Sequence, residues 1–131
     1  MAAVTRFEEL VAWQKARILT REIYVATRRP GFNRDLGLAS QMQRSAVSVM
    51  ANLAEGFERR RKSEFHRFVE IAKGLCAEVA SHLYVALDVG YLEEPEFEEL
   101  HAHATELQRI LGGLRSSLAE PRNSPLGTRN S

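Results

Sequence analysis

The feature that most constrains the fold is an apolar seam near the end of the chain. Its members recur at alternating steps of three and four residues: Phe97, Leu100, Ala104, Leu107, Leu111, Leu114 and Leu118. This spacing puts all of them on one face of an α-helix, whereas a strand would alternate at every second residue. A helix with such a seam has to bury it against other helices, so the seam predicts helix-on-helix packing.

Three further segments show helical patterning, and Gly or Pro residues separate them. The four predicted helices cover about residues 7–28, 35–55, 63–89 and 95–119. We expect Ser63 to cap the third helix, Gly56 to end the second and Gly90 to end the third. Short connections then predict an all-α, up-down-up-down antiparallel four-helix bundle over residues 1–119. Residues 120–131, with Pro among small polar residues, predict a disordered C-terminal tail.

The cysteine content excludes a disulfide framework. Among 131 residues there is one cysteine, Cys76, which lies beside the apolar line of the third helix and is predicted to be a buried, unreactive thiol. The N-terminus lacks the apolar run of a signal peptide, and no stretch approaches the about 20 apolar residues of a membrane span. These observations predict a cytoplasmic protein with no membrane partner.

The first helix has two apolar stripes instead of one. One stripe consists of Phe7, Val11, Ile18 and Val25, and the other of Trp13, Ala16, Leu19 and Ile23. Two stripes favour burial on two sides, since a surface helix of a monomer needs one apolar face. The helix could touch two neighbours inside the bundle, or it could face another subunit. Trp13 and Ile23 are therefore candidates for bundle packing or for a subunit interface.

The second helix carries a polar stripe of short side chains. Its members are Gln41, Arg44, Ser45, Ser48, Asn52 and Glu55. A solvated face is one interpretation, although such faces usually carry long Lys and Glu side chains. Short Ser and Asn residues beside alanines also suit close helix packing with a few satisfied hydrogen bonds. A surface that contacts RNA or protein is the third interpretation.

The net charge of +1 hides a division along the chain. Residues 1–73 hold 14 Lys and Arg against 8 acids, and residues 74–131 hold 4 against 9, so the two parts carry +6 and −5. The candidate nucleic-acid-binding residues are Arg59, Arg60, Arg61, Lys62 and Arg67, because Arg binds phosphates in bidentate fashion. Ordinary solubilising charge is the alternative. The basic and acidic parts could also bind each other, within one chain or head to tail between copies.

The sequence offers little for metal or enzymatic chemistry. A di-iron bundle needs two Glu-x-x-His pairs, and the pair Glu98 and His101 is outside the apolar seam, with His103 on another side of the helix. No His is placed to activate Cys76, and there is no phosphate-binding Gly-rich loop or dinucleotide motif. We therefore predict no metal, no cofactor and no enzymatic activity.

Several strings in the first three helices resemble a known family. They are Val11-Ala12-Trp13-Gln14-Lys15-Ala16, Leu36-Gly37-Leu38-Ala39-Ser40-Gln41, Arg44-Ser45-Ala46-Val47-Ser48-Val49, Asn52-Leu53-Ala54-Glu55-Gly56, Glu64-Phe65 and Ile71-Ala72-Lys73-Gly74. With this spacing the chain resembles, over about residues 7–118, the bacterial four-helix bundle proteins encoded in intervening sequences of large-subunit ribosomal RNA genes.

The resemblance implies a homo-oligomer, commonly a ring of five bundles, without known enzymatic activity. The chain is also similar to the accessory variability determinant of diversity-generating retroelements, which uses a basic ring surface with a reverse transcriptase and nucleic acid. The partners implied are further copies of the chain and either nucleic acid or a protein that handles it. A structural or protein-interaction scaffold without nucleic-acid binding is the alternative.

Overall fold

The computed structural model of the chain describes residues 3–119, and within that range it contains four α-helices and no strand. Their bounds are α1 Val11–Thr27, α2 Leu36–Glu58, α3 Lys62–Asp88 and α4 Glu94–Leu118. Short 3₁₀ turns at Phe7–Glu9 and Phe32–Arg34 precede α1 and α2. The predicted tail, residues 120–131, lies outside the described residues.

The four helices form an antiparallel bundle that closes on itself. Each helix packs against its neighbours in sequence, and α1 packs against α4. The Gln43 amide of α2 donates to the Thr27 hydroxyl at the end of α1, at 2.9 Å. Lys73 of α3 donates to the Gln108 side chain of α4, also at 2.9 Å. The predicted all-α four-helix bundle is confirmed.

The apolar seam of α4 fills one side of the core. Leu100, Ala104, Leu107 and Leu111 are all buried, and they join one continuous cluster with the apolar faces of the other three helices. Leu114 and Leu118 are only partly buried, because they lie in the last two turns of the helix. The spacing therefore identified the inward face correctly.

The beginning of α1 differs from the prediction. Helix 7–28 is interrupted, because Leu10 has an extended backbone with φ −70° and ψ 125° between the 3₁₀ turn and α1. Leu10 is buried in the core and its carbonyl accepts from the Gln14 amide, so α1 begins at Val11. The spacing of apolar residues continues through this break, which is why the sequence alone could not locate it.

Two predicted helix boundaries between α2 and α3 were wrong. Gly56 does not end α2, which continues to Glu58, and Ser63 does not cap α3, because Arg61 occupies the N-cap without a side-chain hydrogen bond. Gly56 is buried instead, and a Cβ there would lie 2.5 Å from the Cβ of Phe68. Close approach of α2 and α3 explains this glycine. Gly90 behaves as predicted, with φ +87° directly after the end of α3.

Candidate functional site

The turn between α2 and α3 gathers all five predicted nucleic-acid-binding residues at one end of the bundle. Arg60 adopts a left-handed backbone with φ 62°, which reverses the chain within three residues. Its guanidinium carbon lies 4.9 Å from the centre of the Phe57 ring. Arg59 and Arg67 lie over the ring of Phe68, at 5.2 and 5.0 Å. The cationic groups thus rest on aromatic side chains.

Arg59 is the most constrained of these cations. It donates to Glu55 at 3.0 Å and to Glu64 at 3.2 Å. The hydrogen bond that Arg59 donates to Glu55 raises the pKa of Arg59, and the negative charge of Glu64 adds to this effect. Arg59 therefore pairs with one acid of α2 and one of α3, and these contacts link the two helices across the turn.

The remaining cations of the turn are more accessible. The side chain of Arg60 is 59% exposed and lies 3.8 Å from Glu58, and that of Arg61 is 75% exposed and lies 3.6 Å from Glu64. Lys62 is exposed beside them. A shallow cavity of about 200 Å³ lies here and is lined by Val4, Phe57, Arg60, Arg61, Lys62 and Phe65. Its walls combine an apolar base with three cations, an arrangement that can hold a phosphate beside a planar group.

The two stripes of α1 have different environments. Ala16, Leu19 and Ile23 of the second stripe are buried in the core, so Ile23 serves bundle packing and is not available to another subunit. In contrast, Val11, Ile18 and Val25 are 56%, 42% and 63% exposed. They recur every seven residues along the outside of the helix, which leaves an uncovered apolar stripe.

Trp13 lies at the boundary between the core and the surface of the bundle. It is half-buried, meets Phe7 edge to face at 5.2 Å, and has the Arg17 guanidinium 5.8 Å from its ring centre. A surface cavity of about 770 Å³ lies here and is lined by Arg6, Glu8, Trp13, Gln14, Arg17, Ile18 and Arg21. This cavity adjoins the uncovered stripe of α1.

The polar stripe of α2 is divided between surface and partly buried positions. Gln41, Arg44 and Glu55 are exposed. Asn52 is half-buried and donates to the Ser48 carbonyl of its own helix at 2.8 Å. Ser45 is buried and donates to Glu78 of α3 at 3.0 Å. The middle of the stripe thus contains one hydrogen bond between helices, and its flanks face outward.

Opposite charges meet along the edge where α1 packs against α4. Lys15 contacts Glu106 at 3.5 Å, Glu22 contacts His103 at 2.7 Å, and Arg29, just after α1, contacts Glu96 at 2.7 Å. We call these three contacts the charged ladder. Residues of the basic part therefore pair with residues of the acidic part within one chain, one of the two possibilities that the sequence left open.

The middle of the charged ladder includes a group that sequence reasoning missed. The side chains of Glu22, Glu99 and His103 each offer a ligand atom within 4.8 Å of the other two. The sequence alone offered the pair Glu98 and His101 on one helix, and no metal site was predicted from it. Glu22 is 81 residues from His103, so only the packing of α1 on α4 brings them together.

Cys76 has the environment expected of an unreactive thiol. It is fully buried, and its sulfur donates to the Ala104 carbonyl at 3.5 Å. Burial raises the pKa of this thiol to about 11, partly offset by the charge of Lys73. The nucleophilic thiolate is therefore scarce at neutral pH.

The fold and these surfaces define a four-helix bundle with a basic turn, an uncovered apolar stripe and a charged ladder. Residues 8–113 match the sequence profile described as 23S rRNA-intervening sequence protein, and the chain belongs to this family. The structure is similar to a crystal structure from Bacteroides thetaiotaomicron, described as a protein of unknown function from the S23 ribosomal protein family. The TM-score is 0.74 at 19% sequence identity, and the match covers 81% of this chain and 96% of that one.

No curated protein matches the chain. None of the helices in the described residues combines the length and apolar character needed to cross a bilayer.

Proposed function

We propose that the protein is a non-enzymatic, cytoplasmic homo-oligomer, a ring of five bundles, that binds the phosphate backbone of nucleic acid through the α2–α3 turn. The observation that carries the proposal is the placement of Arg60, Arg61 and Lys62 around a small cavity with Phe57 and Phe65 in its walls. Exposed cations beside aromatic rings suit flexible single-stranded RNA, which offers phosphates together with bases that can stack.

The hydrogen bonds of Arg59 support this assignment of roles. Glu55 and Glu64 hold Arg59 in place, and Arg59 with Arg67 covers Phe68. The turn is thereby fixed before any ligand arrives, so binding requires little ordering of the backbone. Arg60, Arg61 and Lys62 then supply the contacts to phosphate.

RNA binding and its dependence on salt test the proposal. Fluorescence anisotropy with a labelled single-stranded RNA is measured over a salt series for the native protein and for Arg61→Gln/Lys62→Gln. Losing two phosphate contacts is expected to reduce the slope of log K against log salt by about 1.4, at about 0.7 per contact on single strands. Glutamine removes the positive charge but keeps a polar side chain, and the Arg59 ion pairs remain.

The matched control removes two charges from the other end of the bundle. Arg28 and Arg34 are exposed in the connection between α1 and α2. Arg28→Gln/Arg34→Gln is expected to keep most of the salt slope. Equal losses in both double variants, or no binding by the native protein at low ionic strength, would contradict a site at the α2–α3 turn.

The uncovered stripe of α1 supports the oligomeric part of the proposal. Val11, Ile18 and Val25 leave large aliphatic surfaces in water on a helix whose opposite face is already in the core. A second copy that covers this stripe would remove apolar area from water, which favours association.

A structural or protein-interaction scaffold without nucleic acid is the second candidate. It is favoured by the acids of the basic turn, since Glu55, Glu58 and Glu64 all lie within 4 Å of its arginines. On this alternative, the oligomer forms, the purified protein shows no excess absorbance at 260 nm, and RNA anisotropy does not change at any salt concentration.

A further inference from the structure

The charged ladder between α1 and α4 has different cationic partners at its ends and in its middle. At its two ends, Glu106 faces Lys15 and Glu96 faces Arg29, so each carboxylate has a permanent cation within 4 Å. In the middle, Glu22 contacts His103 at 2.7 Å, and within the described residues no Lys or Arg lies within ion-pair distance of Glu22. The middle of the ladder therefore lacks the permanent cation that each of its ends has.

Glu99 adds a second carboxylate beside Glu22 and His103. One ligand atom from each of the three side chains lies within 4.8 Å of the other two. Arg21 lines an adjoining cavity of about 220 Å³ together with Glu22 and Glu99. Within residues 3–119, Arg21 makes no ion pair within 4 Å with either glutamate.

The donor set is that of a transition-metal site. A tetrahedral metal ion with bonds of about 2.0–2.2 Å requires ligand atoms about 3.3–3.6 Å apart. The Glu99 side chain is exposed, and an ion bound between the three side chains would replace the 2.7 Å hydrogen bond between Glu22 and His103. Imidazole nitrogen with two carboxylates suits Zn²⁺ and neighbouring first-row divalent ions, whereas Mg²⁺ and Ca²⁺ prefer oxygen ligands alone.

We propose that Glu22, Glu99 and His103 bind one Zn²⁺-type divalent cation per chain, with water in the remaining position. The site joins α1 to α4, the first and last helices, at the edge where the bundle closes. Bound metal would thus stabilise the folded bundle by linking its first and last helices, because the unfolded chain does not hold these residues together.

The chain supplies close controls for this site. His101 is on the same helix as His103 but packs on Phe97 and Tyr84, with ring centres 5.3 and 5.2 Å apart, and so faces α3. Glu98 is an exposed neighbour of Glu99 and lies outside the cluster. His101→Ala and Glu98→Gln therefore remove the same chemical groups without touching the proposed ligands.

Calorimetric titration of the metal-free, untagged protein with ZnCl₂ is the primary test. One ion per chain is expected, with affinity at least tenfold weaker in His103→Ala, Glu22→Gln and Glu99→Gln. The two control variants should bind like the native protein, and MgCl₂ should not compete. Co²⁺ provides a second readout, since a tetrahedral site gives an intense visible absorption that His103→Ala should abolish.

A substitution at Arg21 is expected to change the Zn²⁺ affinity in the opposite direction from the ligand variants. Arg21→Gln removes a positive charge beside the site and should strengthen Zn²⁺ binding, whereas the three ligand variants weaken it. Zn²⁺ should also raise the thermal midpoint of the native protein but not that of His103→Ala. Native-like binding by His103→Ala, equal weakening in His101→Ala, or no binding at 100 µM ZnCl₂ would each overturn the proposal.

Discussion

Gly56 shows how one missing side chain sets the distance between two helices. A Cβ at this position would lie 2.5 Å from Phe68 Cβ and 3.1 Å from Phe65 Cδ1, so α2 and α3 would have to separate. Gly56→Ala is expected to lower the free energy of unfolding by about 1–3 kcal/mol, the usual cost of overpacking a core. Urea-induced unfolding followed by circular dichroism measures this loss.

Gly74 is the matched control for that substitution. It is an exposed position inside α3, and a Cβ there would meet nothing within 4 Å. Gly74→Ala should therefore raise the free energy of unfolding by up to about 1 kcal/mol, because alanine restricts the unfolded chain and favours the helix. Equal effects of the two substitutions would contradict the close contact at Gly56.

Cys76 gives a pH-dependent prediction. Burial raises the pKa of its thiol from 9.0 to about 11, so at pH 8 the thiolate is about 100-fold scarcer than in an exposed thiol. Reaction with a chromogenic disulfide should be correspondingly slow in the folded protein and fast in urea. The folded pKa exceeds the unfolded one, so this group's contribution to stability is present below pH 9 and declines as the pH rises toward 11. Rapid labelling of the folded protein at pH 8 would contradict the buried environment.

At the scale of elements, Asp35 joins the two connections at one end of the bundle. Its carboxylate accepts from the Leu38 amide at 3.1 Å, which caps α2, and from the Tyr91 hydroxyl at 3.0 Å. Tyr91 stacks on the buried Phe32, with ring centres 4.7 Å apart. One side chain thus ties the connection before α2 to the connection before α4.

Substitutions at Asp35 and Tyr91 separate the capping of α2 by Asp35 from the hydrogen bond between Asp35 and Tyr91. Asp35→Ala removes the cap and should lower the free energy of unfolding by at least about 1 kcal/mol, whereas Asp35→Asn keeps an acceptor and should lose less. Tyr91→Phe keeps the stack on Phe32 and loses only the hydrogen bond, so it should be milder than Asp35→Ala. Urea unfolding of the three variants gives the order, and an Asp35→Asn as unstable as Asp35→Ala would contradict the capping role.

The sequence predicted the helices better than their ends. Spacing at three and four residues follows directly from burying one helix face, so four helices and the inward residues of α4 could be identified. The ends of the helices depend on local contacts, which leave weaker signals in the sequence. The buried Leu10 occupies the N-cap of α1, and Arg61 rather than Ser63 occupies the N-cap of α3. A glycine that ends a helix, such as Gly90, looks the same in sequence as one that permits close packing, such as Gly56.

Across the whole molecule, the sequence predicted clusters whose residues are close together along the chain and missed a cluster whose residues are far apart. The cations at positions 59–62 are consecutive, so their cluster was visible before the fold was known. Glu22, Glu99 and His103 meet only through the register between the first and last helices. That register depends on how all four helices pack together, and a single sequence does not define it.

The uncovered stripe of α1 predicts a contact between subunits. Val11, Ile18 and Val25 are spaced by seven residues, so they lie on one line along the helix, and the core already holds the opposite face. If this line forms the contact of the proposed ring of five, light scattering at micromolar concentration should give about five times the 14.8 kDa chain mass.

The variant Ile18→Glu/Val25→Glu places two carboxylates in the proposed contact. Burying them would cost far more than the aliphatic side chains gain, so the particle should dissociate while its helical circular dichroism is retained. Val89→Glu is the control, because Val89 is 55% exposed at the end of α3, away from the stripe. A native protein that scatters as a 14.8 kDa monomer would remove the argument for a ring, since the stripe would then be covered by nothing. Dissociation of both variants would place the contact elsewhere, whereas dissociation of the α1 variant alone would assign the subunit interface to the outer face of α1.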